Sequence, residues 1–383
     1  LDNETFALLH ETVRRFVDER LIPNEDRVEE EEEVPAEIIE EMKELGLFGL
    51  TIPEEFGGLG LTMVEEAEIA FELGRTALAY RSVFGTTIGI GSQGIMIDGT
   101  DEQKAEWLPK LAAGMSASFA LTEPDAGSDA ASLKMTATKD GDIYRLNGTK
   151  RYITNARRAG MLTVMARTEK DVPGAGGISA FIVPADLPGL SFGQPDKKMG
   201  QKGTVTSDVI FDDVEVPAAN IIGGTPGQGF KTAMKVLDRG RIHISAVAAG
   251  MADRLVKESV DYTVDRKQFG QPVATFQLVQ GLIADSRTEA YAARCMVRDI
   301  AARYDTGERV SADAAATKYF STEALGRIAD RAVQVHGGAG YMREYKVERF
   351  FRDVRLLRIY EGTSQIQQTI IAKALLRDAG LKV

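Results

Sequence analysis

Apolar residues Phe6, Leu9, Val13 and Phe16 recur three and four positions apart, the single stripe of an amphipathic helix. A second helix is predicted from Pro35, which suits a first turn, through Ile38, Ile39 and Met42 to a stop at Gly46. Gly57-Gly58-Leu59-Gly60 then interrupts the chain before another helical stretch around 65–73. From about residue 118 the period changes. Short β-like runs at 161–168, 178–184 and 205–216 are separated by clusters of Pro, Gly and Asp, the texture of a small barrel or sandwich. Lys139-Asp140-Gly141-Asp142 reads as a turn, and Asn147-Gly148, the strongest short hairpin signal, predicts a β-hairpin at that pair. Past the Gly- and Pro-rich stretch 223–229 the pattern is helical again, with long amphipathic segments at about 230–265, 277–305 and 311–336 that suit a helix bundle. The order is therefore α, β, α, divided as 1–117, 118–229 and 230–383.

Composition narrows the function classes. A chain of 383 residues is long enough for two or three domains, and 44% hydrophobic with 27% charged residues is a globular mix. No apolar run approaches the roughly 20 residues of a spanning helix. The net charge of −11 argues against nucleic acid, whose binding rests on clustered Lys and Arg. The acidic run from Glu29 to Glu33 reads as a solvated face or loop. A lone cysteine, Cys295, implies a reducing compartment. The three histidines, His10, His243 and His336, lie far apart with no HExxH or CxxC, so no metal site is expected. The acidic start Leu1-Asp2-Asn3-Glu4 resembles neither a secretory signal nor a transit peptide, which suggests a cytoplasmic protein, or a mitochondrial matrix one if a leader was removed. Gly89-Ile90-Gly91-Ser92-Gln93-Gly94 matches the dinucleotide fingerprint by letter, but it sits in helical surroundings and is cut at Asp98-Gly99-Thr100. It is expected to be a loop or helix-packing feature.

Two places suggest chemistry. The stretch from Thr122 to Ser128, rich in Gly, Ser and Thr, can bring backbone N–H groups and hydroxyls close to a polar ligand, although its composition alone also fits an ordinary turn. Glu361 follows Tyr360 and precedes Gly362-Thr363, with a helix starting directly after. Ser364 and Gln367 have capping-box spacing, and Ile366, Ile370 and Leu375 supply an apolar stripe. A carboxylate there is commonly a helix cap; in a dry pocket it becomes a base whose pKa burial raises.

Four segments carry a resemblance: Leu121-Thr122-Glu123-Pro124-Asp125-Ala126-Gly127-Ser128-Asp129, Asp265-Arg266-Lys267-Gln268-Phe269-Gly270, Gln334-Val335-His336-Gly337-Gly338-Ala339-Gly340-Tyr341 and Ile359-Tyr360-Glu361-Gly362-Thr363-Ser364-Gln365. In order and spacing the chain resembles the acyl-CoA dehydrogenase family over essentially its whole length. The resemblance implies an α+β multidomain fold: an N-terminal helical domain, a central β domain and a C-terminal four-helix bundle. It implies FAD, an acyl-CoA substrate, an electron-transferring flavoprotein as acceptor and a homotetramer.

The resemblance also assigns residues. Phe119, Leu121, Thr122, Gly127 and Ser128 correspond to positions along the flavin and its pyrophosphate, with Ser128 also touching the CoA arm. Tyr152, where the family often has Trp, and Thr154, near flavin N5, form the second flavin wall. Arg266, Phe269, Gln334, Gly337 and Gly338 correspond to contacts with the FAD of a neighbouring subunit. Gln268, Phe276, Gln277, Thr363 and Gln365 complete the cofactor set. Asp238, Arg241 and Gly362 fall at substrate positions. Without the resemblance, Arg241 and Arg266 read equally well as surface ion-pair partners of Asp238 and Asp265.

Glu361 matches the family's base, which takes the α-proton while hydride leaves Cβ for flavin N5. Some branches carry the base at the position of Gly240 instead, and glycine cannot act as one. Tyr80-Arg81-Ser82 resembles a stretch of glutaryl-CoA dehydrogenases that binds a distal carboxylate, whereas the plainer reading has Arg81 snorkelling to the surface from a helix end. His336 reads as a helix-terminal packing residue. Same-fold alternatives are an acyl-CoA oxidase, a dicarboxylyl-CoA dehydrogenase or a desulfinase. A flavin-binding relative without dehydrogenase activity is disfavoured by the acidic charge and by Glu361.

Overall fold

A computed structural model describes residues 1–169 and 171–382. Seven helices come first: α1 (Asn3–Phe16), α2 (Glu25–Glu31), α3 (Ala36–Glu44), α4 (Met63–Gly74), α5 (Leu78–Thr86), α6 (Gln93–Asp98) and α7 (Asp101–Ala112). The α1 stripe ends as predicted in buried Val13 and Phe16, which pack with Val28, Ile38, Met42, Phe48, Tyr80 and Phe84 in one core. The acidic run is not simply solvated. Glu29 pairs with Arg352 and Glu32 with Lys202, each at 2.7–2.8 Å, so it ties α2 to distant parts of the chain. The GxGxxG look-alike is a helix-packing feature: Gly91 sits in a π-turn between α5 and α6, against Ala117.

Strands β1 (Ala117–Ala120), β2 (Thr136–Asp140), β3 (Ile143–Thr154), β4 (Met161–Arg167), β5 (Ile178–Pro184), β6 (Leu190–Phe192) and β7 (Thr206–Pro217) follow. The sheet order is β1-β4-β2-β3-β7-β6, with β5 also paired to β4. Strand β4 is parallel to β1 along its first half, meets β2 only at Arg167, and is antiparallel to β5 throughout. The hairpin expected at Asn147-Gly148 is a correction. The β2–β3 turn is at Gly141-Asp142, between paired Asp140 and Ile143, and Asn147-Gly148 lies inside β3. There Gly148 has φ +146°, and the β3–β7 register slips between Leu146 and Gly148, a β-bulge.

The last part holds α8 (Gly229–Asp265), the short ribbon β8 (Lys267–Gln268) and β9 (Gln271–Pro272), then α9 (Gln277–Asp305), α10 (Ser311–His336), α11 (Lys346–Val354) and α12 (Ser364–Asp378). Helices α8, α9 and α10 form the bundle that periodicity predicted, and α4 is sunk into it. A Cβ on Gly74 would lie 2.3 Å from Val247 O, and one on Gly250 would lie 2.1 Å from Phe71 O, so backbone meets backbone. The predicted cap of α12 also moves. Thr363, not Ser364, is the N-cap and accepts from Ile366 N, while the Ser364 hydroxyl donates to Glu323. Gln367 is buried rather than reaching back as a cap, and Leu375 of the expected apolar stripe is exposed.

Candidate active site

Glu361 occupies the turn before α12 with φ +56°, a left-handed value unusual for a residue with a side chain, and Gly362 follows at φ +88°. Such backbone costs on the order of 1–3 kcal/mol and persists where its surroundings over-determine it. Two fully buried side chains do so. Lys318 Nζ donates to Gly362 O at 2.7 Å, and Gln367 Nε2 donates to Glu361 O and Gly362 O at 3.0 Å each. The Glu361 N–H has no acceptor among the described residues.

The carboxylate of Glu361 is the unusual group. Its Oε2 is buried without a hydrogen-bond partner. Burial pushes its pKa upward against the pull of Arg81, Arg241 and Lys318, and burial prevails. None of those cations forms an ion pair with it among the described residues. Burial also holds Lys318 down, to about 8. Directly opposite stands Gly240 of α8, where an added Cβ would lie 2.9 Å from Glu361 Oε2. The two positions that could carry a base thus face each other, with room for one carboxylate.

Substrate positions cluster around this point. Arg241 is buried, not at the surface, and donates to Asp238 Oδ1 at 2.5 Å. The snorkelling reading of Arg81 does not hold. Its Nε donates inward to His243 Nε2 at 2.9 Å, and its charge bears on Glu361. Ser82 is buried, with its hydroxyl turned back to Leu78 O, so it does not flank a ligand alongside Arg81.

The loop after β1 is anchored from beneath. Glu123 Oε1 accepts from Met135 N at 3.0 Å and from Lys150 Nζ at 2.8 Å, and Lys150 also donates to Leu121 O. This buried pair leaves Gly127 and Ser128 exposed above it. Arg151 N donates to Thr122 O, and the Ser118 hydroxyl to Thr154 O, which brings Phe119, Leu121 and Thr122 beside Tyr152 and Thr154. Tyr152 stands out with φ +60° and 60% exposure. Thr363 spends its hydroxyl on the α12 cap, and Gln365 is exposed.

The remaining predicted cofactor residues gather elsewhere. Phe269 is 93% exposed and meets Phe276 edge-on at 5.9 Å, next to exposed Arg266, Gln268 and Gln277. Exposed Gln334, Gly337 and Gly338 join them because His336 stacks on Tyr262 at 4.2 Å, the packing role expected of it. Arg266 forms no ion pair among the described residues, with Asp265 or any other acid. More than two-thirds of α8 separates this cluster from Gly240, roughly 40 Å at about 1.5 Å per residue.

Sequence reasoning missed Lys318, Gln367, Lys150 and His243. Lys150 and Lys318 left a trace, each a cation on the apolar face of its strand or helix. No cluster of residues suited to a metal occurs among the described residues, and no helix there is long and apolar enough to cross a membrane.

The N-terminal, middle and C-terminal domains of acyl-CoA dehydrogenase match residues 3–115, 118–214 and 227–376. A probable acyl-CoA dehydrogenase, YngJ of Bacillus subtilis, is 41% identical over 97% of both chains. A 3-(aryl)acrylate reductase of Clostridium sporogenes is 40% identical over 98% of this chain and 99% of its own. The structure of butyryl-CoA dehydrogenase from Megasphaera elsdenii superimposes with a TM-score of 0.94 at 34% identity, covering 98% of this chain and 99% of that one.

Proposed function

The chain belongs to the acyl-CoA dehydrogenase family, and from that premise we propose that it removes two hydrogens from the Cα–Cβ bond of an acyl-CoA thioester with Glu361 as the base. It is an oxidoreductase of a FAD-dependent family. The observation that carries the assignment of Glu361 is its buried, unpartnered Oε2 opposite Gly240.

The chain's own residues divide the work. Glu361 takes the α-proton, and its raised pKa makes it a stronger base than a solvated carboxylate. Its unpaired N–H is placed to polarise the thioester carbonyl, which acidifies that proton. Lys318 and Gln367 keep both groups in place. Exposed Tyr152, and Gly127 and Ser128 above the Glu123–Lys150 anchor, fit a flat aromatic group carrying a pyrophosphate. When bound there, FAD supplies the two-electron acceptor for the hydride lost from Cβ. An electron-transferring flavoprotein as final acceptor and a homotetramer rest on the family resemblance; the exposed far end of α8 supports the second. The name of the C. sporogenes relative describes reduction of an acrylate, for which Glu361 would return the proton it otherwise removes.

One observation favours a substrate with a polar or anionic tail. Arg81 turns inward and has no carboxylate partner within ion-pair distance among the described residues, and a cation drawn inward is costly unless an anion meets it. The test is anaerobic titration with a panel of simple and dicarboxylyl-CoA esters and their enoyl products, following flavin absorbance. With a dicarboxylyl substrate, Arg81→Ala costs about 2–5 kcal/mol of the preference. A parent that prefers uncharged chains, with Arg81→Ala changing nothing, removes the anionic tail. No reduction by any ester contradicts the dehydrogenase assignment.

A further inference from the structure

A buried relay behind the site runs from Arg239 through Glu66 and His243 to Arg81. Because α4 and α8 touch backbone to backbone at Gly74 and Gly250, Glu66 of α4 is pressed between two α8 side chains. Its Oε2 is taken by Arg239 Nη2, and its Oε1 lies 2.7 Å from His243 Nδ1. The other imidazole nitrogen, Nε2, faces Arg81 Nε at 2.9 Å. An arginine Nε only donates, so His243 Nε2 is the acceptor and carries no proton. The proton is therefore on Nδ1 and is donated to Glu66. One tautomer satisfies the whole chain, and in it the ring is neutral.

We infer that His243 is a positioning residue for the reaction: gripped by Glu66, it fixes the Arg81 guanidinium beside the Glu361 carboxylate. The inference rests on Glu361 being the base. Space for this arrangement comes from Gly85, one turn along α5, where a Cβ would lie 2.7 Å from Arg81 Nε. An unheld arginine follows its aliphatic stem to water; this one is folded back and hooked.

The charges explain why its position matters. Glu66 is already engaged by Arg239, so it does not neutralise Arg81. Facing His243 are Glu66, Arg81 and Arg239; burial, Arg81 and Arg239 all hold the ring below its ordinary pKa and keep it neutral. Facing Glu361 are Arg81 from α5, Arg241 from α8 and Lys318 from α10, with Tyr360 alongside. Arg241 is neutralised by Asp238, whereas Arg81 and Lys318 form no ion pair with any acid among the described residues. Arg81 is the strongest of the three in lowering the Glu361 pKa against burial. Releasing it lets that pKa rise, and a larger fraction of the base is then protonated at a given pH.

The experiment is the pH profile of anaerobic flavin reduction by an acyl-CoA in the FAD-loaded enzyme, with FAD content and Tm recorded for each variant. His243→Leu removes both contacts and is expected to move the acidic limb to higher pH, slowing reduction about tenfold at a fixed pH on that limb. His243→Gln, whose amide offers one donor and one acceptor, is expected to restore the parent profile. Arg81→Lys keeps the charge but loses the contact with His243, and is expected to behave like His243→Leu. A His243→Leu profile superimposed on the parent's overturns the inference and leaves His243 a packing residue. So does His243→Gln behaving like Leu, since the effect would then follow ring shape and not the two contacts. If His243→Leu does not fold, Arg81→Lys decides alone, and a parent profile there overturns the inference. Failure of the base assignment has a separate signature: Glu361→Gln reducing its flavin at the parent rate.

Discussion

Near Gly240, α8 is enclosed by α4, α10 and the turn that carries Glu361, and Glu66, Arg239, Arg241 and His243 there are buried and hydrogen-bonded within the chain. Near Arg266 the same helix emerges beside a 93% exposed Phe269, a ribbon two residues deep, and exposed Gln334, Gly337 and Gly338. The first end is complete within one chain; among the polar atoms it leaves unpaired are the Oε2 and N–H of Glu361, where a substrate would act. The second end leaves an arginine, an aromatic ring and two glycines with nothing to bind. Since roughly 40 Å of helix separates them, one flavin cannot touch both ends of the same chain. The difference supports the proposal that each chain sets its own chemistry, whereas a neighbour shares in retaining the cofactor.

The largest effect should come from the complete end. Glu361→Gln keeps shape and FAD but removes the base, and flavin reduction should fall about 10²–10⁴-fold in single-turnover absorbance measurements. At the open end, Arg266→Ala should leave the proton-transfer machinery intact and weaken FAD retention by about 1.5–3 kcal/mol, read from the FAD released on dilution. Equal loss of reduction rate in FAD-saturated Arg266→Ala would erase the distinction between the ends. Lys318→Met removes the charged one of the two donors to the Gly362 carbonyl and should cost about 1–3 kcal/mol, seen as a lower Tm and slower reduction at unchanged FAD content.

The smallest effect concerns a buried carboxyl behind the complete end. Asp353, whose side chain accepts from Gln201 N, is pushed up by burial to about 7 from its ordinary 3.8. Between those values the folded chain holds a proton that the unfolded chain has lost. The stability from this group is therefore present on the acid side and disappears as pH rises through about 7. Asp353→Asn should lack that loss, so Tm of the variant relative to parent should rise by on the order of a few degrees between pH 5 and pH 8. A constant difference across that range would mean Asp353 is ionised throughout.

Much of this was legible beforehand, for identifiable reasons. Helices α8, α9 and α10 are long and strongly periodic, so their span could be read from the apolar stripe alone. The Asn147-Gly148 misreading arose because a bulge and a tight hairpin turn ask for the same thing, a residue tolerant of positive φ. Only strand pairing tells them apart, and pairing is not local. The α12 cap shifted by one residue because Thr363 and Ser364 are equally able caps, and Glu323 from α10 captured the second. Glu361 and Gly240 were legible as alternatives, but not as neighbours facing each other. The snorkelling reading of Arg81 failed because the acceptor that turns it inward, His243, lies far along the chain. Lys318 escaped notice, and Gln367 was read only as a cap partner, for a similar reason: their partners are backbone carbonyls, which leave no mark in a sequence.

The division between the two ends is tested most directly by mixing two inactive forms. Glu361→Gln subunits carry an intact Arg266 cluster, and Arg266→Ala subunits carry an intact Glu361. The two are unfolded and refolded together with a FAD concentration that sustains the parent but not Arg266→Ala alone. If the clusters serve each other across an interface, hybrid assemblies contain sites with both residues intact, and acyl-CoA-dependent flavin reduction returns to a substantial fraction of the parent value. If instead both clusters act within one chain, every site in the hybrid lacks one residue, and the mixture stays as inactive as its components.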